Sequence, residues 1–309
     1  MLRLHLDPRN WLFALVFCVS WVIHKCFHYR SKVRLCRAIG RLIYRIMDKR
    51  RHIMDVNLSI CFPEMTEAER KALIKRNFEH FAVSFVEIAI SWWGKSDGML
   101  DDVEYTGTEH IDKALADGNG VILLGAHFAT LELGSMLVRG HTGYDVPMHV
   151  VYRNQKNPLF NAIMLKGRHR HLTSCVDSKN PKQILKVVRA REMIWFAPDH
   201  DHRGRNGVFA PFFGHPAATL TTTSTLAQLS NAAIIVMGNY RKPDYEGYRV
   251  HFYPPLENFP SGDPVADATL VNKRIEDAIR VAPDQYMWGH RRFKTQPDLP
   301  NSALYQQEA

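Results

Sequence analysis

The amino-acid sequence predicts an α/β protein with a central, mostly parallel sheet flanked by helices and preceded by an N-terminal hydrophobic membrane-anchor helix. The sheet is predicted by short, continuous apolar runs bounded by glycine or proline, such as residues 121–126 (VILLGA) and 193–198 (MIWFAP). Segments with helical periodicity alternate with these runs, which is typical of a parallel sheet covered on both faces. The anchor is predicted by residues 11–23, which are apolar except for Ser20.

Composition excludes several classes of protein. The chain has 309 residues, of which 46% are hydrophobic and 23% charged, and this balance excludes a disordered chain. The mean hydropathy of −0.25 excludes a polytopic membrane protein. The five cysteines form no CxxC pair, which favours reduced thiols in a domain that faces the cytosol.

The net charge of +9 is concentrated at the N-terminus. Residues 1–51 carry 12 Lys and Arg against two acidic residues, for +10, and the remainder carries 28 against 29, for −1. Because the body of the protein is almost neutral, a nucleic-acid-binding domain with a general basic surface is excluded.

The N-terminal segment predicts membrane attachment. Extended to residue 29, the apolar run approaches the ~20 residues that a span needs, although a buried core helix is the alternative. The next segment predicts a basic amphipathic helix, whose basic face would attract anionic lipid headgroups. That face holds Arg30, Arg34, Arg37, Arg41, Arg45 and Lys49, and the opposite face holds Leu35, Ile39, Leu42, Ile43 and Ile46. We therefore divide the chain into an anchor with a basic amphipathic helix (residues 1–51) and a single α/β domain (residues 52–309) on the cytoplasmic side.

The elements of the main domain follow in order. Thr66 and Glu69 form a capping box that opens a long helix to about Trp93. Further helices are expected at residues 127–137, 157–168, 182–191, 219–230 and 266–281. Strands are expected at residues 121–126, 146–153, 193–198, 233–240 and 248–253.

The sharpest chemical signal is a histidine directly after a buried strand, with a carboxylate five residues further on. These residues are His127 and Glu132. Open α/β sheets bind ligands at the carboxyl ends of their strands, and a histidine held by a carboxylate is a general-base arrangement. As a bare pattern it is also compatible with a histidine that merely follows a strand. No GxSxG motif is present, so His127 is expected to activate a hydroxyl of the substrate itself.

Other polar clusters also follow predicted strands. Residues 199–205 (DHDHRGR) suggest either a metal site or, as we favour, a turn that presents Asp199 and Arg203 to a phosphate or carboxylate. Arg153, followed by Asn157, is placed to reach an anionic substrate or to lie on the surface. Residues 288–294 (WGHRRFK) are expected to contact a headgroup or an acidic partner.

Taken together, these motifs resemble the late acyltransferases of lipid A biosynthesis, the lauroyl, myristoyl and palmitoleoyl transferases. The segment around His127 and Glu132 (LLGAHFATLELG) is similar to the HxxxxD/E motif of glycerolipid-type acyltransferases. The resemblance extends in order along the chain, through residues 57–65 (NL with CFPEM), 151–159 (VYR with NPL), 197–201 (APDHD), 219–225 (TLTTTST) and 285–295 (QYMW with HRRFKT).

The resemblance implies a glycerolipid acyltransferase-like fold and a membrane-bound enzyme of the cell inner membrane. It implies transfer of a fatty acyl chain from acyl-acyl carrier protein to a hydroxyl of a hydroxyacyl chain on a Kdo-lipid A precursor, without a cofactor, a metal or a nucleic-acid partner. His127 would be the general base and Glu132 its orienting partner. Arg153, Asn157, Asp199 and Arg203 would bind substrate. Backbone N–H groups at the start of a helix after His127 are expected to stabilise the oxyanion.

Three alternatives stay open from the sequence. One is an acyltransferase that acts on another glycerolipid or glycolipid acceptor. The second is a non-catalytic lipid-binding membrane protein, and the third is a metal-dependent hydrolase.

Overall fold

The computed structural model describes residues 28–94, 101–141, 146–202, 204, 206–243 and 245–306, together with isolated positions between residues 11 and 25. The helices within these ranges are α1 (Tyr29–Ile46), α2 (Asp48–Cys61), α3 (Glu67–Trp93), α4 (Thr108–Ala116), α5 (Gly134–Gly140), α6 (Pro158–Arg168), α7 (Pro181–Arg189), α8 (Thr222–Ser230) and α9 (Pro264–Val281).

A seven-stranded sheet forms the centre of the domain. Its strands are β1 (Val103–Thr106), β2 (Val121–Leu124), β3 (Met148–Tyr152), β4 (Ser174–Asp177), β5 (Met193–Phe196), β8 (Ala233–Arg241) and β9 (Tyr248–Phe252), in the order β1-β9-β8-β2-β5-β3-β4. Only the β8–β9 pair is antiparallel, so the predicted mostly parallel α/β sheet is confirmed. Strands β6 (Gly207–Phe212) and β7 (His215–Leu220) form a separate antiparallel hairpin.

Helices cover both faces of the sheet because successive residues of the central strands point to opposite sides. Ile122 and Leu124 of β2 pack in one apolar cluster with residues of α2, α7 and α9. Val121 and Leu123 pack in the other cluster, with residues of α1, α3 and α5. A strand that is buried on both faces has a continuous apolar sequence. This explains why the sequence predicted these strands.

The long helix α3 begins as predicted. The Thr66 side chain accepts a hydrogen bond from the Glu69 backbone N–H, and the Glu69 carboxylate accepts one from the Thr66 backbone N–H. This capping box satisfies two donors that the first turn of a helix leaves unpaired. Helix α3 then packs against α1 on one side and against α6 on another.

Helix α1 packs onto α3 through a face that sequence periodicity did not identify. Its buried residues are Lys32, Val33, Cys36 and Gly40. Gly40 permits the close approach, because a Cβ at this position would lie 2.6 Å from the carbonyl oxygen of Phe78. The predicted boundary at residue 51 falls inside α2, and α1 contributes to the same apolar cluster as the sheet.

The basic face of α1 is partly paired within the protein, whereas its apolar face is exposed. Arg37 and Arg41 contact the Glu79 carboxylate of α3 at 2.7 and 3.3 Å, and Arg30 pairs with Glu246 at 2.8 Å. These arginines therefore have partners within the protein. The apolar residues Leu35, Ile39, Leu42 and Ile46 are instead exposed, with Leu42 at 56% and Ile46 at 70%.

In the part of the chain that the structure describes, we find no helix with the length and apolar character required to cross a membrane. The predicted anchor at residues 11–23, and its extension to residue 29, lie mostly outside the described residues.

Two further predictions were wrong in detail. The helix expected at residues 127–137 does not begin at His127, because residues 128–130 form a bridge and a turn before a short 3₁₀ helix (Leu131–Leu133) leads into α5. The helix expected from Thr219 begins at Thr222, because β7 runs through to Leu220.

Candidate active site

The site forms where two neighbouring parallel strands end. In the β2–β5 ladder Leu124 is paired with Phe196. His127 and Asp199 each follow the paired residue by three positions, so the two side chains emerge together at the carboxyl edge of the sheet. Gly125, directly after β2, packs against Trp195 of β5, and a Cβ at this position would lie only 2.4 Å from the Trp195 ring. This edge is where open α/β sheets bind their ligands.

Asp199 holds His127 through two contacts. Its Oδ1 lies 2.7 Å from Nδ1 of His127, and its Oδ2 accepts a hydrogen bond from the His127 backbone N–H at 3.0 Å. The Asp199 side chain is fully buried, whereas that of His127 is 23% exposed. With Nδ1 directed to the carboxylate, Nε2 is the ring nitrogen that can take a proton from a substrate.

Burial by itself would raise the pKa of Asp199. The adjacent His127, through its charge and its hydrogen bonds, has the opposite effect and brings the pKa of this carboxyl below its ordinary value. Asp199 is therefore a buried carboxylate with both oxygens directed to His127, and its role in substrate binding stays a prediction.

Glu132 is not the carboxylate that holds His127. It pairs with Arg168 of α6, whose Nε donates to Glu132 Oε2 at 3.0 Å, and Nε1 of Trp92 donates to the same oxygen at 3.2 Å. The Glu132 carboxylate is directed to Trp92 and Arg168, so the expected pairing of Glu132 with His127 does not occur. The Glu132–Arg168 pair instead lines a small cavity whose other walls are largely apolar and include Leu131, Met148, Val150 and Trp195.

Two more histidines lie beside His127. The ring of His200 stacks on that of His127 with centroids 3.6 Å apart and planes 13° apart. The ring of His290 stacks on His200 with centroids 3.9 Å apart and planes 16° apart. Burial, followed by the positive charge of neighbouring groups, lowers the pKa of His200 to about 3, and burial is also the main cause that lowers the pKa of His290 to about 4.

The C-terminal segment supports the loop that carries His127. The backbone N–H of Met287 donates to the His127 carbonyl at 2.9 Å, and the N–H of Ala129 donates to the Gln285 carbonyl at 2.8 Å.

Three side chains of the same segment, Trp288, Arg292 and Phe293, are buried. Arg292 donates to the Ala218 carbonyl and to Thr219 Oγ1, each at 2.8 Å. The expectation that residues 288–294 contact a headgroup or acidic partner is therefore wrong for these three side chains, which belong to the interior.

The remaining predicted substrate residues occupy different positions. Arg153 follows β3 at the same edge of the sheet and is exposed. Asn157 caps α6, because its side-chain oxygen accepts a hydrogen bond from the Phe160 backbone N–H at 2.9 Å. Arg203 lies outside the described residues. Substrate binding by these three residues stays a prediction.

The amides directly after His127 are engaged within the protein. The N–H of Phe128 donates to the Ala126 carbonyl at 2.7 Å, and that of Ala129 donates to Gln285 as described. These two groups are therefore not directed to an oxyanion, contrary to the expectation of a helix start at this position.

A metal ion is a further chemical option for this cluster. Ligand atoms of His127, Asp199 and His200 lie within 4.8 Å of one another. However, the rings of His127 and His200 are stacked nearly parallel, so the lone pairs of their nitrogens do not converge on one point. Both oxygens of Asp199 also face His127. The arrangement fits a histidine base better than a set of metal ligands.

A parallel α/β sheet with a carboxylate-held histidine at its carboxyl edge is the arrangement expected of an enzyme that binds its substrate at this edge. Residues 2–295 match the family model described as bacterial lipid A biosynthesis acyltransferase. The chain belongs to this family and is an acyltransferase of lipid A biosynthesis.

Individual relatives are similar over nearly their whole length. The chain is 38% identical to the lipid A biosynthesis lauroyltransferase of Escherichia coli K12 over 294 residues, which cover 95% of this chain and 94% of that protein. It is 34% identical to the palmitoleoyltransferase of the same organism over 304 residues, which cover 98% of this chain and 97% of that protein. It is 26% identical to the myristoyltransferase over 263 residues, covering 83% and 79%.

Proposed function

We propose that this acyltransferase moves a fatty acyl chain from acyl-acyl carrier protein to a hydroxyl of a hydroxyacyl chain on a Kdo-lipid A precursor, with His127 as the general base. The observation that carries the proposal is the His127–Asp199 pair at the carboxyl edge of the sheet. The family supports an acceptor of the lipid A type.

The reaction needs a base because a hydroxyl has a high pKa and attacks a thioester poorly. Nε2 of His127 removes the hydroxyl proton as the oxygen bonds to the thioester carbonyl carbon. The C–S bond then breaks, and the imidazolium returns the proton to the leaving thiolate, so that the products are an ester and the free carrier thiol. A positioned general base contributes about 10²–10⁴-fold to such a step.

Asp199 stabilises the charged intermediate of His127. The buried carboxylate lies 2.7 Å from Nδ1, so a positive charge on the ring is compensated without a rearrangement of the site. Since the proton is passed from one substrate to the other, the step requires neither a covalent enzyme intermediate nor a metal.

The test is direct transfer with purified components. The detergent-solubilised protein is incubated with radiolabelled acyl-acyl carrier protein and, separately, with a Kdo-lipid A precursor, a lysophospholipid and a glycolipid that carries free hydroxyls. We expect label in the Kdo-lipid A precursor, with a mass increase that equals one fatty acid less water. Label only in the lysophospholipid or glycolipid would overturn the proposed acceptor, and no label with any acceptor would overturn the proposed donor.

We propose that the protein lies at the inner membrane with the α/β domain on the cytoplasmic side, and the exposed apolar stripe of α1 supports the contact with a membrane. Leu35, Ile39, Leu42 and Ile46 are spaced three or four residues apart and are all exposed. Arg34 and Arg45 are exposed on the same helix, as is typical of helices that lie on an anionic bilayer. Helix α1 directly follows the apolar N-terminal segment, in which Trp11, Leu15 and Trp21 are exposed.

A further inference from the structure

The three histidine rings at the site form a continuous stack. His200 lies between His127 and His290, with centroid distances of 3.6 and 3.9 Å, and neighbouring planes are within 16° of parallel. Asp199 holds the edge of the His127 ring, whereas His200 covers one of its faces. Together these contacts restrict both the rotation and the tilt of the imidazole.

The outer ring of the stack is neutral by its hydrogen bonding. The backbone N–H of Asp201 points to Nε2 of His290 at 3.2 Å. A backbone N–H can only donate, so this nitrogen carries a lone pair and the ring has at most one proton. Asp201 is itself fixed, because its carboxylate accepts hydrogen bonds from the backbone N–H and the hydroxyl of Thr295 at 3.0 and 3.1 Å.

The middle ring makes its contacts through its faces. Nε2 of His200 is buried and has no hydrogen-bond partner among the residues that the structure describes. A buried polar atom without a partner costs about 1–3 kcal/mol. Because Nε2 gains no hydrogen bond to offset this cost, the contacts of the two aromatic faces are the observed interactions that favour a ring at this position.

We propose that His200 is a positioning residue for His127, and that its uncharged ring, backed by His290, fixes the plane of the base and stabilises the imidazolium that forms during acyl transfer. An uncharged aromatic face attracts a cation that lies over it, whereas a charged ring would repel it. The low pKa values of His200 and His290, caused mainly by burial, keep both rings uncharged at neutral pH. The inference rests on the proposed function of His127.

The experiment compares His200→Ala with His200→Phe in the full-length protein. Phenylalanine keeps a flat, uncharged ring but has no nitrogen. We expect kcat of His200→Ala to fall by about 10–100-fold, since a displaced catalytic group can cost about 10²-fold, with KM for both substrates nearly unchanged. We expect His200→Phe to retain kcat within about threefold, because it preserves the stack.

Controls separate this inference from the proposed function and from loss of folding. His127→Ala reports on the base, and His215→Ala replaces an exposed histidine outside the stack. Rates are expressed per folded protein, as measured by circular dichroism and thermal unfolding. If His127→Ala remains active, the proposed base is wrong. If His127→Ala is inactive while folded His200→Ala has the kcat of the wild type, only the positioning role is wrong.

Two other outcomes also decide the matter. If His200→Phe is as impaired as His200→Ala, a nitrogen of His200 is needed and the stacking role is overturned. If His200→Ala does not fold, the comparison uses His290→Leu and His290→Phe instead. Both of these variants lack the acceptor for the Asp201 N–H, but only His290→Phe keeps a ring. A higher kcat for His290→Phe is expected, and equal rates of the two folded variants overturn the proposal.

Discussion

At the scale of single residues, the two nitrogens of His127 have different environments. Nδ1 faces a fully buried carboxylate, so Nε2 is the nitrogen that is left to take a proton from a substrate. An amide in place of the carboxylate would keep the shape of the site but could not balance a charged imidazole.

We therefore expect Asp199→Asn to lower kcat by about 10²-fold or more while the protein stays folded, because the imidazolium loses its counter-charge and its fixed tautomer. Steady-state acyl transfer at saturating donor checks this. Asp177→Asn, at the end of the edge strand β4, is the matched control. Equal decreases in kcat for Asp199→Asn and Asp177→Asn would contradict a specific role of Asp199.

His200 also makes the stability of the protein depend on pH. The pKa of His200 is lowered to about 3 in the folded protein, while an unfolded histidine titrates near 6.5. Below pH 6.5 the unfolded chain binds a proton that the folded chain does not, so the free energy of unfolding falls as the pH is lowered.

We expect His200→Phe to gain stability relative to the wild type as the pH is lowered from 7 to 5, by up to about 1.4 kcal/mol per pH unit below 6.5. Urea unfolding at pH 7, 6 and 5 measures the difference. The other histidines with lowered pKa values, including His80 and His171, are present in both proteins and cancel. A difference that does not change with pH would contradict the buried, neutral state of His200.

Glu132 and Arg168 form a largely buried ion pair, with side-chain exposures of 15% and 13%. Replacing Glu132 by Ala leaves the guanidinium without its charge partner, and we expect a loss of about 3–5 kcal/mol in the free energy of unfolding. Arg168→Met in the Glu132→Ala background should recover part of this loss. Stability is measured by urea unfolding. If the double variant loses the sum of the unfolding free energies lost by the two single variants, Glu132 and Arg168 are not coupled.

The distinction between Glu132 and Asp199 shows where sequence reasoning reached its limit. Glu132 is near His127 in sequence, and this spacing, together with the HxxxxD/E motif, predicts it as the partner of His127. Asp199 is 72 positions away and becomes its partner only through the pairing of β2 with β5. The sequence did contain a signal, because both residues follow the end of a buried apolar run, but its use required knowledge of which strands are neighbours.

At the scale of elements, α1 shows a similar limit. Periodicity correctly predicted a helix with apolar and basic sides, yet it could not identify the side that meets the protein. The narrow contact at Gly40 and the pairing of Arg37 with Glu79 turn the apolar stripe outward. Likewise, β6 and β7 were not predicted, because Pro211 and Pro216 interrupt the pattern, although the hairpin accommodates both as a pair.

The exposed stripe of α1 gives a prediction for membrane binding. We expect Leu42→Asp and Ile46→Asp to weaken binding of the full chain to vesicles that contain phosphatidylglycerol, because each places a charge in the apolar stripe. Leu229→Asp is the control, since Leu229 is 45% exposed on α8. Vesicle flotation compares the affinities, and identical binding of all variants would contradict a bilayer contact through α1.

At the scale of the whole molecule, distant parts of the chain meet around one histidine. The segment after β2 supplies His127, the loop after β5 supplies Asp199 and His200, and the C-terminal segment supplies His290 and the backbone contacts of Met287. The basic N-terminal charge is partly neutralised within the fold, since Arg30, Arg37 and Arg41 pair with Glu246 and Glu79. The mostly parallel α/β sheet followed from the sequence because its strands depend on local patterns, whereas these contacts depend on tertiary structure.

The measurement that tests this account most directly is a single-turnover acyl transfer by His127→Ala. The variant and the wild type are mixed with a labelled acyl-acyl carrier protein and a Kdo-lipid A precursor, and the rate of label transfer is followed. We expect His127→Ala to remain folded and to transfer the acyl chain about 10²–10⁴-fold more slowly. A folded variant with a rate close to that of the wild type would contradict the assignment of His127 as the base.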